Sequence, residues 1–181
     1  KAMGSTGILK LDIANFYGSF YTHNIACIGK GSEWAEEQYR LNEDNKADKN
    51  YKILKKLDGL VGKLNQKRTH GLLIGPLMSF IIAEGLMSTI DDEVIQLLRE
   101  TIGKDIEFVR FIDDYDVFIK SEEDIPLIIL TFTRVLEKYG FVLGDNKTEY
   151  IKFPFYIYED FKGIVKYDED SLSSKGLLNI Y

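Results

Sequence analysis

The chain has 181 residues, 45% of them hydrophobic and 13% aromatic, with a formal net charge of −6. That length supports a packed core without disulfide staples, and the single cysteine, Cys27, excludes an intramolecular disulfide and fits a reducing cytoplasm. No apolar run is long enough for a membrane span, the first residues lack the apolar core of a signal peptide, and the acidic balance argues against a generic nucleic-acid binder, because phosphate contacts need Lys and Arg.

In chain order, GILKLDI (7–13) alternates apolar Ile8, Leu9, Leu11 and Ile13 around Lys10 and Asp12, which predicts a strand ending near Asp12. NFYGSFYTHNIACIGKG predicts a short helix or turn that runs out at Gly29 to Gly31. Residues 32–56 are polar with sparse apolar positions and read as a surface helix and a mobile connection. Basic charge is concentrated in the second half of this segment and after it: from Lys46 to His70 there are eight basic residues and two acidic ones. On composition alone that is a solvated helix face.

Pro76 opens a long apolar stretch that Gly103 can terminate, so residues 76–102 are expected to form a mostly buried helix, kinked near Gly85, with Leu77, Phe80, Ile81, Glu84 and Met87 marking successive turns. IEFVRFI and YDVFIK then predict a hairpin around Asp113 and Asp114. EDIPLIILTFTRVLEKYG predicts a second helix with Pro126 in its first turn and Gly140 as its stop, and FVLGDNKTEYIKF predicts short strands around a polar turn. The order strand, helix, hairpin, helix, strand is the split β-α-β-β-α-β plan, an α+β fold of ferredoxin or RRM type whose antiparallel sheet carries helices on one face. On that plan Asp12 and Asp113 meet at one end of the sheet.

Four segments together resemble the palm of reverse transcriptases, the RNA-directed DNA polymerases. LKLDIANFY is similar to the family's first palm motif, GLLIGPLMSFIIAE to its second, FIDDY to its third and LGDNKTEY to its fourth. YTHNIACIGKG with GLLIGP is most similar to the abortive-infection, phage-defence and retron-type enzymes. The resemblance covers roughly residues 7–153, and it makes residues 1–181 a palm with part of the fingers (32–70). The chain starts at Lys1 and ends at Tyr181, and is expected to be a piece of a longer protein with further domains and oligomerisation.

The resemblance implies nucleotidyl transfer with two Mg²⁺ ions, about 3.5–4 Å apart, for which Mn²⁺ can substitute. It implies Asp12, Asp113, Asp114 and the Ile13 carbonyl as metal ligands, and Lys147 as a catalytic cation at the leaving pyrophosphate. Tyr17, the aromatic five residues after Asp12, would lie beneath the incoming sugar and exclude a 2′-hydroxyl. Gly75 and Pro76 would border the nucleotide. Lys63, Lys67, Arg68, Gly71 and Ser79 would hold an RNA or DNA template and primer. Taken singly, each residue has a plain structural alternative: a helix cap for Asp12, a turn for the Asp113–Asp114 pair, a core ring for Tyr17, a helix start for Ser79 and a solvated lysine for Lys147.

Phe111 stands where many relatives carry Tyr, and Thr69 and His70 stand where a glutamine is common. His23 and His70 lie in separate segments, which argues against zinc, and Cys27 reads as core. Two rival functions remain open. A nucleotidyl cyclase palm would share the carboxylates but would not need GLLIGP or the lysine of DNKTEY. A non-catalytic nucleic-acid-binding palm would be expected to have lost its metal ligands. The tyrosines of YIYEDFKGIVKY are available to prime synthesis from a protein hydroxyl, and template-free synthesis is an alternative to copying.

Overall fold

The computed structural model describes residues 4–43, 46–144 and 147–153. Strand β1 (Gly7–Asp12) leads into a one-turn helix α1 (Phe16–Ser19) and a 3₁₀ segment (Thr22–Cys27). Helices α2 (Ser32–Glu43), α3 (Lys49–Leu64) and α4 (Leu77–Ile102) follow, then β2 (Glu107–Phe111), β3 (Asp114–Ile119), α5 (Ile125–Lys138) and β4 (Glu149–Lys152). The four strands form one antiparallel sheet in the order β2-β3-β1-β4. This is the α+β split plan expected from the sequence.

Strand alternation gives the sheet two unlike faces. Leu9, Leu11, Tyr115, Val117 and Ile119 are buried, whereas Lys10 and Asp116 on the other face are paired at 3.9 Å with their side chains about half exposed. Helix α5 covers the buried face through Phe132, whose ring lies 5.0 Å from Tyr115 and 5.6 Å from Phe108 in edge-on contacts. Helix α4 covers it through Asp91, which accepts a hydrogen bond from the Tyr115 hydroxyl. Phe132 is fully buried, and truncating such a ring to Ala costs about 3–5 kcal/mol.

Two expectations are corrected. Residues 32–56 are not a helix and a loose connection: α3 is a full helix, capped by the Asp48 carboxylate accepting from the Asn50 amide, and its Tyr51 packs edge-on against Trp34 of α2. The long helix α4 is not mostly buried along the expected stripe. Its buried positions include Ser79, Ile82, Ala83, Leu86, Met87, Ile90, Val94 and Leu98, while Leu77, Met78, Phe80 and Ile81 are exposed. At its start apolar Leu77, Met78, Phe80 and Ile81 surround polar Ser79, so periodicity pointed the apolar residues inward, whereas Ser79 takes the inner position. At Gly85 the helix continues through, and an added Cβ would meet Ile28 at 3.3 Å, so the residue serves close packing.

Candidate active site

β1 ends at Asp12, which pairs across the sheet with Asp114, the first residue of β3. The Ile13 amide donates to the Asp113 carbonyl at 3.1 Å, tying the end of β1 to the turn of the β2–β3 hairpin. Asp12, Asp113 and Asp114 therefore share one end of the sheet. Asp12 is buried, 7% exposed, and α1 takes Asn15 rather than Asp12 at its cap position, which removes the capping alternative.

The hairpin turn is Ile112–Asp113, between the paired residues Phe111 and Asp114. Ile112 has φ 58°, a left-handed conformation that is a genuine outlier for a β-branched side chain and costs of order 1–3 kcal/mol. Positive φ at the first of two central residues alone is the II′ arrangement, in which glycine normally stands.

Lys147 supplies the nearest cation. Its Nζ donates to Asp12 Oδ1 at 2.6 Å, and its own amide is held by the Gly144 carbonyl at 3.3 Å. The Asp12 bond leads in raising the Lys147 pKa above the ordinary lysine value. The Asp114 carboxyl is pushed up, first by burial and then by the charges of Asp113 and Asp12. A carboxyl whose ionisation neighbouring carboxylates oppose, as at Asp114, is one that a divalent cation would relieve. Among the described residues, however, no three carboxylate, imidazole or thiol groups are already gathered tightly enough to hold a metal. Lys147 occupies one oxygen of Asp12 instead.

Tyr17 lies beside this end of the sheet. It is half-buried, its ring meets Phe16 edge-on at 5.1 Å, and its pKa is raised by burial and then by Glu84 and Asp113. The glycine loop is fastened alongside: the Gly71 amide donates to the Phe20 carbonyl and the Leu72 amide to the Tyr17 carbonyl, both at 2.8 Å. Gly71 and Gly75 have φ of 89° and 109°, which explains glycine at both positions, and Gly75 and Pro76 are exposed. Lys63, Lys67 and Arg68 are exposed and form no ion pair with a described residue.

Two further expected site residues are buried, as Asp12 is. Ser79 is buried on the inner side of α4. Ile13 is 1% exposed. The histidines, distant in sequence, flank one ring: Tyr21 lies 4.9 Å from His23 and 5.0 Å from His70, and His23 is engaged by Asp58 at 2.8 Å. Cys27 is buried and pushed up to about 11, in keeping with a core role. Tyr156, Tyr158 and Tyr167 lie outside the described residues.

Two residues at this site had gone unnoticed in the sequence. Arg110 bonds the turn, and Gly144 presses on Asp12: a Cβ there would lie 2.9 Å from Asp12 Oδ2, and the Gly144 amide donates to the Asp12 carbonyl at 2.7 Å. An arginine in an otherwise apolar strand, FVRF, was the available signal for the first; Gly144 gave none.

No family model matches the chain, and no curated protein matches it. Among solved structures, it is similar to apo telomerase from Candida tropicalis truncated from its C-terminal domain, with a TM-score of 0.56 and 17% identity over 83% of this chain. The match takes in 31% of the telomerase chain, so the present chain spans about a third of its length. The likeness is one of fold. No helix among the described residues is long and apolar enough to cross a membrane.

Proposed function

We propose that this chain is the palm of a reverse-transcriptase-type DNA polymerase, which joins deoxynucleotides from dNTPs to a 3′-hydroxyl. The observation that carries this reading is the meeting of Asp12, Asp113 and Asp114 at one end of an antiparallel sheet, with the Lys147 ammonium 2.6 Å from Asp12. Two Mg²⁺ ions, or Mn²⁺ in their place, would activate the hydroxyl and neutralise the triphosphate. Asp12, Asp113 and Asp114 are the residues that would hold them. Lys147 leaves Asp12 and gives its proton to the departing pyrophosphate. Tyr17 bars a 2′-hydroxyl, and the open backbone at Gly75 and Pro76 borders the incoming nucleotide.

The exposed cations Lys63, Lys67 and Arg68 bind template or primer phosphates, with Gly71 allowing close approach. Residues 32–70 act as part of the fingers. The segments YTHNIACIGKG and GLLIGP favour a phage-defence role in the cytoplasm; the start of the first is bonded to the residues just before the second, the Thr22 amide donating to the Thr69 carbonyl at 2.8 Å next to the Tyr21–His70 bridge. Synthesis without a template, or from a protein hydroxyl, is compatible with this site.

The test is nucleotide incorporation by the full-length protein with and without added RNA, followed by sequencing of the product. Asp113→Asn removes charge but little volume, so it should abolish incorporation while leaving thermal melting unchanged. Retention near the parent rate would falsify the carboxylate assignment. A cyclic nucleotide instead of an extended chain would make the site a cyclase.

A further inference from the structure

Strand alternation puts Arg110 of β2 on the helix-covered face, opposite Tyr115, and its side chain is only 9% exposed. Its Nε donates to Asp91 Oδ2 at 2.9 Å, while Nη1 and Nη2 donate to the two Glu84 oxygens at 2.8 and 3.1 Å. The Tyr115 hydroxyl donates to the other Asp91 oxygen at 2.7 Å. A fourth bond leaves the helix: Nη1 also donates to the Ile112 carbonyl at 2.9 Å.

That carbonyl belongs to the peptide unit joining Ile112 to Asp113. On the far side of Asp113, its own carbonyl accepts from the Ile13 amide at 3.1 Å. Both peptide planes flanking the Asp113 Cα are thus held, one by Arg110 and one by β1. Ile112 has φ 58°, and a conformation of that kind persists only where the surroundings over-determine it. A buried ion cluster is seldom a better stabiliser than apolar packing, so fold stability gives little reason for an arginine here. A planar fork of five donors can span a helix and a turn together, which a single ammonium cannot.

We propose that Arg110 is a positioning residue for the Asp113 carboxylate: anchored on α4 through Glu84 and Asp91, it holds the Ile112 carbonyl and so keeps the turn in its strained, Asp113-presenting form. The inference rests on the polymerase reading for its consequence in catalysis, but the turn itself can be observed without activity. Removing Arg110 alone would strand two partly buried carboxylates, so the informative variant is Glu84→Gln/Asp91→Asn/Arg110→Met, which removes charge from all three positions together.

The experiment uses the full-length protein, with hydrogen exchange at the Ile13 amide read by NMR or mass spectrometry, Mn²⁺ binding by calorimetry, and single-turnover incorporation. The triple variant should fold, exchange the Ile13 amide at least tenfold faster, bind Mn²⁺ more weakly and lose kcat with little change in KM. Asp91→Asn with Tyr115→Phe disturbs the same cluster but spares the Ile112 bond, and should keep Ile13 protected. Should the triple variant not fold, Arg110→Lys keeps the charge, loses the fork and is read in the same way. A folded variant with parental Ile13 protection overturns the proposal. Absence of incorporation by the parent refutes the polymerase reading, while the exchange comparison still decides the role of Arg110.

Discussion

Gly144→Ala should damage the site while sparing the fold. The added Cβ would sit 2.9 Å from Asp12 Oδ2 and 3.5 Å from the Asp12 carbonyl oxygen, whereas unstrained carbon–oxygen approaches lie at about 3.3–3.6 Å. Something must therefore yield by roughly 0.4 Å or more. Asp12 has little room to do so: its side chain is 9% exposed, Oδ1 is held by Lys147, and its carbonyl accepts from the Gly144 amide. The backbone at Gly144 is not left-handed, so alanine is acceptable there in itself. A 1 Å misplacement of a reacting group costs about 10²-fold, so a shift of roughly half that size predicts a rate loss on the order of tenfold. Single-turnover incorporation measures it, with thermal melting alongside. Gly59→Ala is the control, since that position lies within α3 with nothing near its Cβ, and it should gain about 0.5–1 kcal/mol of stability without affecting the rate. A Gly144→Ala protein that works at the parent rate would mean that Asp12 is not the carboxylate on which the chemistry depends.

Lys147→Ala should slow the chemical step by about 10²–10⁴-fold and leave nucleotide affinity nearly unchanged; an unaltered single-turnover rate would make Lys147 a solvated turn residue. Asp114→Asn should raise the melting temperature near pH 7. Burial and the neighbouring aspartates lift the Asp114 pKa in the folded state, so its ionisation opposes folding above that value and has no effect below the unfolded one; melting both proteins down to about pH 3 should show the gain disappear. Tyr17→Ala should increase ribonucleotide use relative to deoxynucleotides in direct competition, with Tyr17→Phe keeping the parental preference because the ring does the excluding; equal discrimination by the Ala variant would return Tyr17 to the core.

The sheet and its one aspartate-bearing end were legible because strand patterns of period two, a hairpin and proline- and glycine-bounded helices are local signals, and their order admits few topologies. Helix α5 runs from Ile125 to Lys138, with Pro126 in its first turn and Gly140 just beyond its end, as those two residues indicate. The inner face of α4 was not legible, because Leu77, Met78, Phe80 and Ile81 look like core residues in any window, and only the position of the sheet decides that they are exposed. The burial of Ser79 and Ile13 likewise depends on which side of an element is covered, which no local pattern gives. Gly144 acts through a contact with a residue far away in the chain, and no local pattern encodes it.

The place of β1 in the sheet has a consequence for how the chain is made. It lies between β3 and β4, with Gly7 opposite both Ile119 and Lys152, so neither neighbour exists when β1 leaves the ribosome. At a synthesis rate of about 5–20 residues per second, the strand waits roughly 5–20 s for β3 and longer for β4. Throughout that interval its leucines and backbone amides are open to any other nascent strand. Pairings this distant are also slow to close, so folding yield, more than final stability, should limit production of this domain, and a holding chaperone should help it more than a stabilising mutation.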